Sequence, residues 1–211
     1  MDTILPNLYA TRPRPLSFAP TLEMRAFLLR RDAGNLLIYS APGAVDDADA
    51  IAALGGVSRQ YIGHWHEAPV GDVAAVTAAT GAPAYAHERD AARAALEPFP
   101  EGPAGDDFEL IPIPGHTPGA TAFLWDSGEH RVLFTGDSIF LRDGEWVGAV
   151  LDSSDRDAYV ESLERLRELD FDVLVPWAAT GDRPAHAVTD REDARRRIGA
   201  IVERIRGGAD H

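Results

Sequence analysis

Strand-like and helix-like runs alternate along both halves of this 211-residue chain, but not as regular βαβ units. Two apolar runs at 24–30 (MRAFLLR) and 35–40 (NLLIYS) are separated by Asp32-Ala33-Gly34, a hairpin-type turn. A short strand is expected at 7–10, a helix at 46–54 stopped by Gly55-Gly56, and a strand at 59–63 running into His64. A helix at 72–80 ends at Gly81, a strand at 84–86 follows, and a further helix covers 88–96. Residues 98–107 (PFPEGPAGDD) read as a surface loop. Strands return at 108–113, 120–125, 131–135 and 145–151. Ser154 with Asp157, and Thr189 with Glu192, have the spacing of helix caps on either side of a buried-type strand at 172–175. The simplest packing of this order is two sheets face to face with helices on the outer faces.

Composition narrows the function classes. With 45% hydrophobic and 26% charged residues the chain is expected to fold, and residues 1–211 are expected to form a single domain. The absence of cysteine excludes disulfides, thiolate zinc sites, iron–sulfur clusters and a cysteine nucleophile. All 20 basic residues are Arg, so a Schiff-base lysine is excluded as well. A net charge of -14 argues against nucleic acid and against anionic membranes as partners. The N-terminus (MDTILPNLYATRPRP) lacks a basic region followed by a long apolar core, and no apolar stretch is long enough to span a bilayer. The expectation is a cytoplasmic protein acting on a small-molecule substrate, with its oligomeric state open.

Three segments carry candidate chemistry. In YIGHWHEAPVG, His64 and His66 follow a strand; residues two apart in extended backbone point the same way, so the two imidazoles would form a ready metal-ligand pair. The same pattern also arises as two unrelated loop histidines. In IPIPGHTPG, His116 sits in a Pro/Gly turn between strands, held as a ligand must be, or simply as a polar turn residue. In VLFTGDSIF, a buried strand ends in Thr-Gly and then Asp137, a carboxylate that needs a cation or a capping role.

In this order and at these separations, H-x-H, G-H-T-P-G and strand-T-G-D resemble the metallo-β-lactamase superfamily over most of the chain. The resemblance implies an α/β (α+β) fold: a four-layer αββα sandwich of two mixed β-sheets, with the site at one edge between them. It implies His64, His66 and His116 as the ligands of the first metal, and Asp137 as the aspartate that bridges two metals and serves catalysis. Three imidazoles suit zinc, the expected metal, while iron and manganese also occupy such sites. An open position would hold water, whose pKa falls to about 7 on zinc.

The chain departs from the family pattern at its second metal site. The positions of the family's H-x-H-x-D-H aspartate and last histidine are Ala68 and Pro69, and the segment after the last core strand is Val175-Pro176-Trp177-Ala178-Ala179, with no histidine. Only Asp137 is left of the second site, so one divalent metal rather than a dinuclear centre is expected. Glu67, next to the lost aspartate, is expected to point away in an extended backbone. Trp65 and Trp177 flank the site and either shape an apolar pocket or fill the space of the lost metal, the second being preferred. Ser40 stands where the family often has an aspartate. Asp182 and His186 are expected to be solvated loop residues and His87 structural. His130 and His211 receive no role, and no relay around Ser138 suggests a serine hydrolase. Two functions follow: a single-metal hydrolase of an ester-type bond using a metal-bound hydroxide, or a metal-free pseudoenzyme that binds a small ligand or partner protein.

Overall fold

The computed structural model describes residues 1–102 and 104–210. The first half runs β1 (Asp2–Leu5), β2 (Leu8–Ala10), β3 (Arg14–Leu16), β4 (Ala19–Met24), β5 (Phe27–Leu29), β6 (Leu36–Ile38), α1 (Gly43–Asp46), α2 (Ala48–Ala53), β7 (Arg59–Tyr61), α3 (Glu67–Val70), α4 (Val73–Thr80), β8 (Ala84–Ala86), α5 (Glu88–Ala94) and β9 (Glu97–Pro98). The second half runs β10 (Phe108–Pro112), β11 (Thr121–Asp126), β12 (Arg131–Gly136), β13 (Phe140–Arg142), β14 (Glu145–Val147), α6 (Arg156–Leu166), β15 (Val173–Pro176), β16 (Ala178–Thr180), β17 (Ala187–Val188) and α7 (Arg191–Arg206).

One mixed sheet has the order β1-β2-β5-β6-β7-β8-β9 and a second has β10-β11-β12-β15-β17. Strands β5 (FLL) and β6 (LLI) are buried at every position, as an unbroken apolar run covered on both faces must be. Between the sheets, Phe27, Ile38 and Tyr61 of the first meet Phe108, Phe123, Phe134 and Val175 of the second in one core. The outer face of the second sheet packs Leu124, Leu133 and Leu174 against Tyr159, Leu163 and Leu166 of α6 and Ile198, Ile201 and Ile205 of α7. The outer face of the first sheet is covered by Ala68, Val73 and Ala91 from α3, α4 and α5. These are the four layers of the αββα sandwich.

A third sheet, β14-β13-β16-β4-β3, closes the end of the sandwich from which the histidine loops emerge, and it was not expected. Its strands are short and β3 and β4 carry prolines, which removes the alternation a sequence reading relies on. Elsewhere the boundaries shift. The expected helix at 46–54 is two short helices, the strand expected to 151 ends at Val147, and the caps of α6 and α7 are Asp155 and Asp190, one residue after Ser154 and Thr189. Both aspartates accept a backbone N–H three residues on, at 3.0 and 2.9 Å. In the expected 98–107 loop, β9 pairs with β8 at the start, and Pro103 lies outside the described residues. His211 lies outside them as well. No helix among the described residues is long and apolar enough to cross a membrane.

Candidate metal centre

Each site residue stands just past the end of a core strand. Strand β7 delivers His64, the β10–β11 turn holds His116, and β12 ends in Gly136 before Asp137. Gly136 has φ +57°, and a Cβ there would lie 3.3 Å from His64 Nδ1. The T-G-D turn therefore needs glycine both for its left-handed backbone and for the room His64 takes. Gly115, before His116, packs so tightly on helix α6 that a Cβ would fall 2.3 Å from Tyr159 Cα.

The three histidines converge. Their ring centroids are 5.3 Å apart for His64–His66, 4.9 Å for His64–His116 and 5.3 Å for His66–His116. One donor nitrogen from each lies within 4.8 Å of the others. The route differs from the extended backbone expected. After β7 the chain turns, His66 has helical dihedrals (φ -62°, ψ -30°), and α3 begins at the next residue. The turn brings both rings to one side where alternation along a strand was expected to do so. Asp137 is beside this set rather than in it. Its Oδ2 approaches His64 Nε2 at 3.4 Å, and it lines the same cavity as His66 and His116.

The curl into α3 also overturns the expectation for Glu67. Instead of pointing away it is fully buried beneath His64. Glu67 Oε1 accepts the backbone N–H groups of Gly63 and His64 at 3.0 and 3.2 Å. The same oxygen lies 3.0 Å from His64 Nδ1, a close approach whose geometry falls short of a hydrogen bond. It is not among the residues lining the cavity, so it sits behind His64 rather than in the place of the lost aspartate.

The electrostatics follow from burial and these partners. Burial lowers His116 to about 4, assisted by His64. Burial likewise lowers His66 to about 4, assisted by His64 and His116. Burial also opposes charge on His64, but Asp137 and Glu67 outweigh it and raise that ring to about 10. Burial raises Glu67. Burial acts on Asp137 in the same sense, but the neighbouring imidazoles dominate and hold it below the usual range. Two neutral imidazoles are the form a metal needs. His116 Nδ1–H donates to the Ala149 carbonyl at 2.7 Å, leaving a buried Nε2 with no protein partner facing the cluster. His64 Nε2 is buried without a hydrogen bond as well. Orphaned imidazole nitrogens turned towards one another fit a bound dication.

Residues around the cluster hold its loops. Asp90 of α5, fully buried, accepts from Trp65 N at 3.1 Å, Thr117 Oγ1 at 2.5 Å and Gly119 N at 2.9 Å, joining the H-x-H and G-H-T-P-G segments. The Tyr39 hydroxyl donates to Val175 O and accepts from Gly136 N, both at 2.8 Å, tying the ends of β15 and β12. Sequence reasoning missed both residues, and no short motif marks either. Ser154, expected to cap α6, instead donates its hydroxyl to the His116 carbonyl at 3.0 Å.

At the second-site positions, Pro69 is exposed, Ala68 packs into the helix layer, and Trp177 is 1% exposed. The Trp177 indole lies 5.5 Å from the His64 ring and donates Nε1–H to the Ser40 carbonyl at 2.7 Å. It occupies the flank of the cluster with aromatic carbon. Trp65 packs tilted against His66, with ring centroids 3.9 Å apart, and Arg93 lies over its ring at 4.3 Å. Asp182 is exposed beside Arg183, and neither it nor His186 lines the cavity at the cluster. His87 caps α5, accepting from Arg89 N, and His130 pairs with Asp172. The Ser138 carbonyl accepts from the Tyr159 hydroxyl at 2.6 Å.

Four layers with a three-imidazole donor set at one sheet edge define an α/β sandwich with metal-ligating chemistry. The sequence model of the metallo-β-lactamase superfamily matches residues 59–178, more than half of the chain, and the chain belongs to that superfamily. A hydroxyacylglutathione hydrolase of Pseudomonas entomophila is 34% identical over 123 residues, 54% of this chain and 47% of that relative. The chain thus matches about half the length of this curated relative. Among solved structures, a metallo-β-lactamase from Pontibacter korlensis superposes with TM-score 0.69 at 16% identity, covering 96% of this chain and 97% of that one. ETHE1 from Myxococcus xanthus gives 0.65 at 18% identity, with 93% and 89% covered. The protein TTHA1623, solved in a di-iron-bound form, gives 0.64 at 25% identity, with 87% and 98% covered.

Proposed function

We propose that the protein is a single-metal hydrolase of an ester-type bond in a small-molecule substrate. The observation that carries this reading is the set of three converging imidazoles, two of them with buried unpartnered Nε2 atoms, beside a flank filled by Trp177. His64, His66 and His116 would hold one divalent ion, zinc by the chemistry of three imidazole nitrogens, with iron or manganese accepted by the same set. Such an ion, when bound, polarises a carbonyl and lowers the pKa of water. Asp137, at the edge of the set and on the cavity wall, orients the attacking water and takes up its proton. The relative named as a hydroxyacylglutathione hydrolase supports hydrolysis as the reaction class. A cytoplasmic location is part of the same proposal.

One observation favours a metal-free binding protein instead. His64 lies between Glu67 and Asp137, so a protonated ring there would hold the cluster together without an ion. Metal content separates the two readings. Elemental analysis of untagged protein should find about one zinc, iron or manganese per chain, and the His116→Ala variant should lose it. Wild type that takes up no metal even after incubation with zinc would overturn the hydrolase reading. Two ions per chain would overturn the single-metal part alone.

A further inference from the structure

The cavity that opens on His66, His116 and Asp137 has a volume of about 530 Å³, within the range of small-molecule sites. Apart from those three residues, Arg142 and Asp210, its walls are apolar, with Leu22, Phe140, Val150 and Trp177 among the side chains lining it. The apolar surface continues outward to Phe18, in the turn between β3 and β4, and to Leu151. These two side chains are 70% and 40% exposed. The other exposed large apolar residues among those described, Val45 and Val188, do not line the cavity. Exposed apolar side chains gathered on one rim mark a surface that something apolar covers.

The outer part of the cavity offers an anion few partners. Away from the histidine end its charged side chains are Asp210, which is ion-paired with Arg156, and Arg142. The Arg142 guanidinium lies over the Phe140 ring at 5.1 Å, so its aliphatic stem extends the apolar wall. A glutathione thioester brings two carboxylates, for which the outer walls offer Arg142 as the one cation among the described residues.

Resting on the hydrolase reading above, we propose that this cavity takes the uncharged, apolar acyl chain of the substrate. The ester carbonyl lies at the His66–His116–Asp137 end and the chain runs out towards Phe18 and Leu151. The reaction is ester plus water to carboxylic acid plus alcohol. The water oxygen bonds to the acyl carbon, the bond from that carbon to the alkoxy oxygen breaks, and a proton of the water leaves on the alcohol.

The test is a chain-length series on zinc-loaded protein: p-nitrophenyl acetate, butyrate, hexanoate and octanoate, alongside S-lactoylglutathione. Each methylene that enters an apolar wall is worth up to about fourfold in kcat/KM, so the series should climb steeply from acetate to octanoate. In Phe18→Ser the octanoate-to-acetate ratio should fall by about fourfold or more, while Val188→Ser, equally exposed but off the cavity, keeps the wild-type ratio. Turnover without chain-length dependence, or a preference for S-lactoylglutathione, would overturn the inference and leave the hydrolase reading standing. If no ester is turned over at any length, the hydrolase reading fails and calorimetry with uncharged octanamide and acetamide decides the cavity. Octanamide binding at least about tenfold tighter, and weakened by Phe18→Ser, supports the apolar site. Equal binding overturns it, as does a dimer that Phe18→Ser dissociates and octanamide does not, since a second copy would then cover the rim.

Discussion

At the scale of single residues, two buried side chains set the character of the site. Among the described residues, Glu67 is the one acceptor for two consecutive backbone N–H groups at the start of the histidine loop. Replacing it by alanine strands both donors away from water, and each unpaired buried donor costs about 1–3 kcal/mol. Glu67→Ala is therefore expected to lose about 3 kcal/mol in chemical denaturation, and Glu67→Gln, which keeps an oxygen in place, clearly less. Equal losses for the two variants would show that the carboxylate's charge rather than its acceptor geometry is what matters. Trp177 is the second case. Trp177→Ala removes a fully packed indole and leaves the Ser40 carbonyl unpaired, an expected loss of about 3–5 kcal/mol. Trp177→Phe keeps most of the packing and gives up one hydrogen bond, about 1 kcal/mol. If the indole is what fills the second-metal flank, Trp177→Ala should still bind one ion per chain and no more, because Ala68 and Pro69 supply no ligand.

At the scale of elements, helix α5 acts as a clamp. Its Asp90 holds one loop through Trp65 and another through Thr117 and Gly119, so the spacing between His66 and His116 depends on a helix that contributes no ligand. Loss of such a supporting group typically weakens metal affinity by about 10–100-fold. Asp90→Ala is expected to lower zinc affinity within that range, read by competition with a chromogenic chelator, and to lower stability through three unpaired donors. Unchanged affinity in a folded variant would show that the loops hold their spacing without the helix. None of this was visible in the sequence, where Asp90 is one acid in a run of helix-forming residues. The existence of α6, α7, β5 and β6 was legible because apolar residues recur at helical spacing in the helices and fill the strands without a break, but the expected 24–30 run is split between β4, which ends at Met24, and β5 (Phe27–Leu29). The third sheet was not, because its strands are held by pairing with distant segments, as when Ala178 pairs with Met24, rather than by a pattern of their own.

At the scale of the whole molecule, one ion pair links the two sheets. Arg31, after β5, pairs with Asp107, before β10, through Nε–Oδ2 at 2.7 Å and a second contact from its other nitrogen. Asp107 also accepts from Trp125 Nε1 at 3.2 Å. The hydrogen bond from Arg31 is the main reason its carboxyl is held below the usual carboxylate range. A depressed carboxylate binds fewer protons folded than unfolded. Its contribution is therefore complete above about pH 4 and is lost as the pH falls through the lower, folded value. Asp107→Asn is expected to lower the Tm at neutral pH by about 2–4 °C and to narrow its difference from wild type as the pH is brought below about 3. A gap that stays constant down to that pH would show that the carboxylate's charge is not the source of the effect.

The sequence by itself determined the layer order, which three histidines and which aspartate to expect together, and the departure from the family pattern at Ala68 and Pro69. These are properties of residue type and motif order, although the turn into α3 rather than strand alternation brings His64 and His66 together. Only the tertiary structure decided what stands around the histidine cluster. The turn into α3 buries Glu67 under His64, Asp90 reaches across from α5, and the third sheet brings Phe140 and Leu22 to the cavity. Each of these is a contact between segments far apart in the chain or a departure from extended backbone. Local periodicity encodes neither, since both are set by the packing of completed layers on one another.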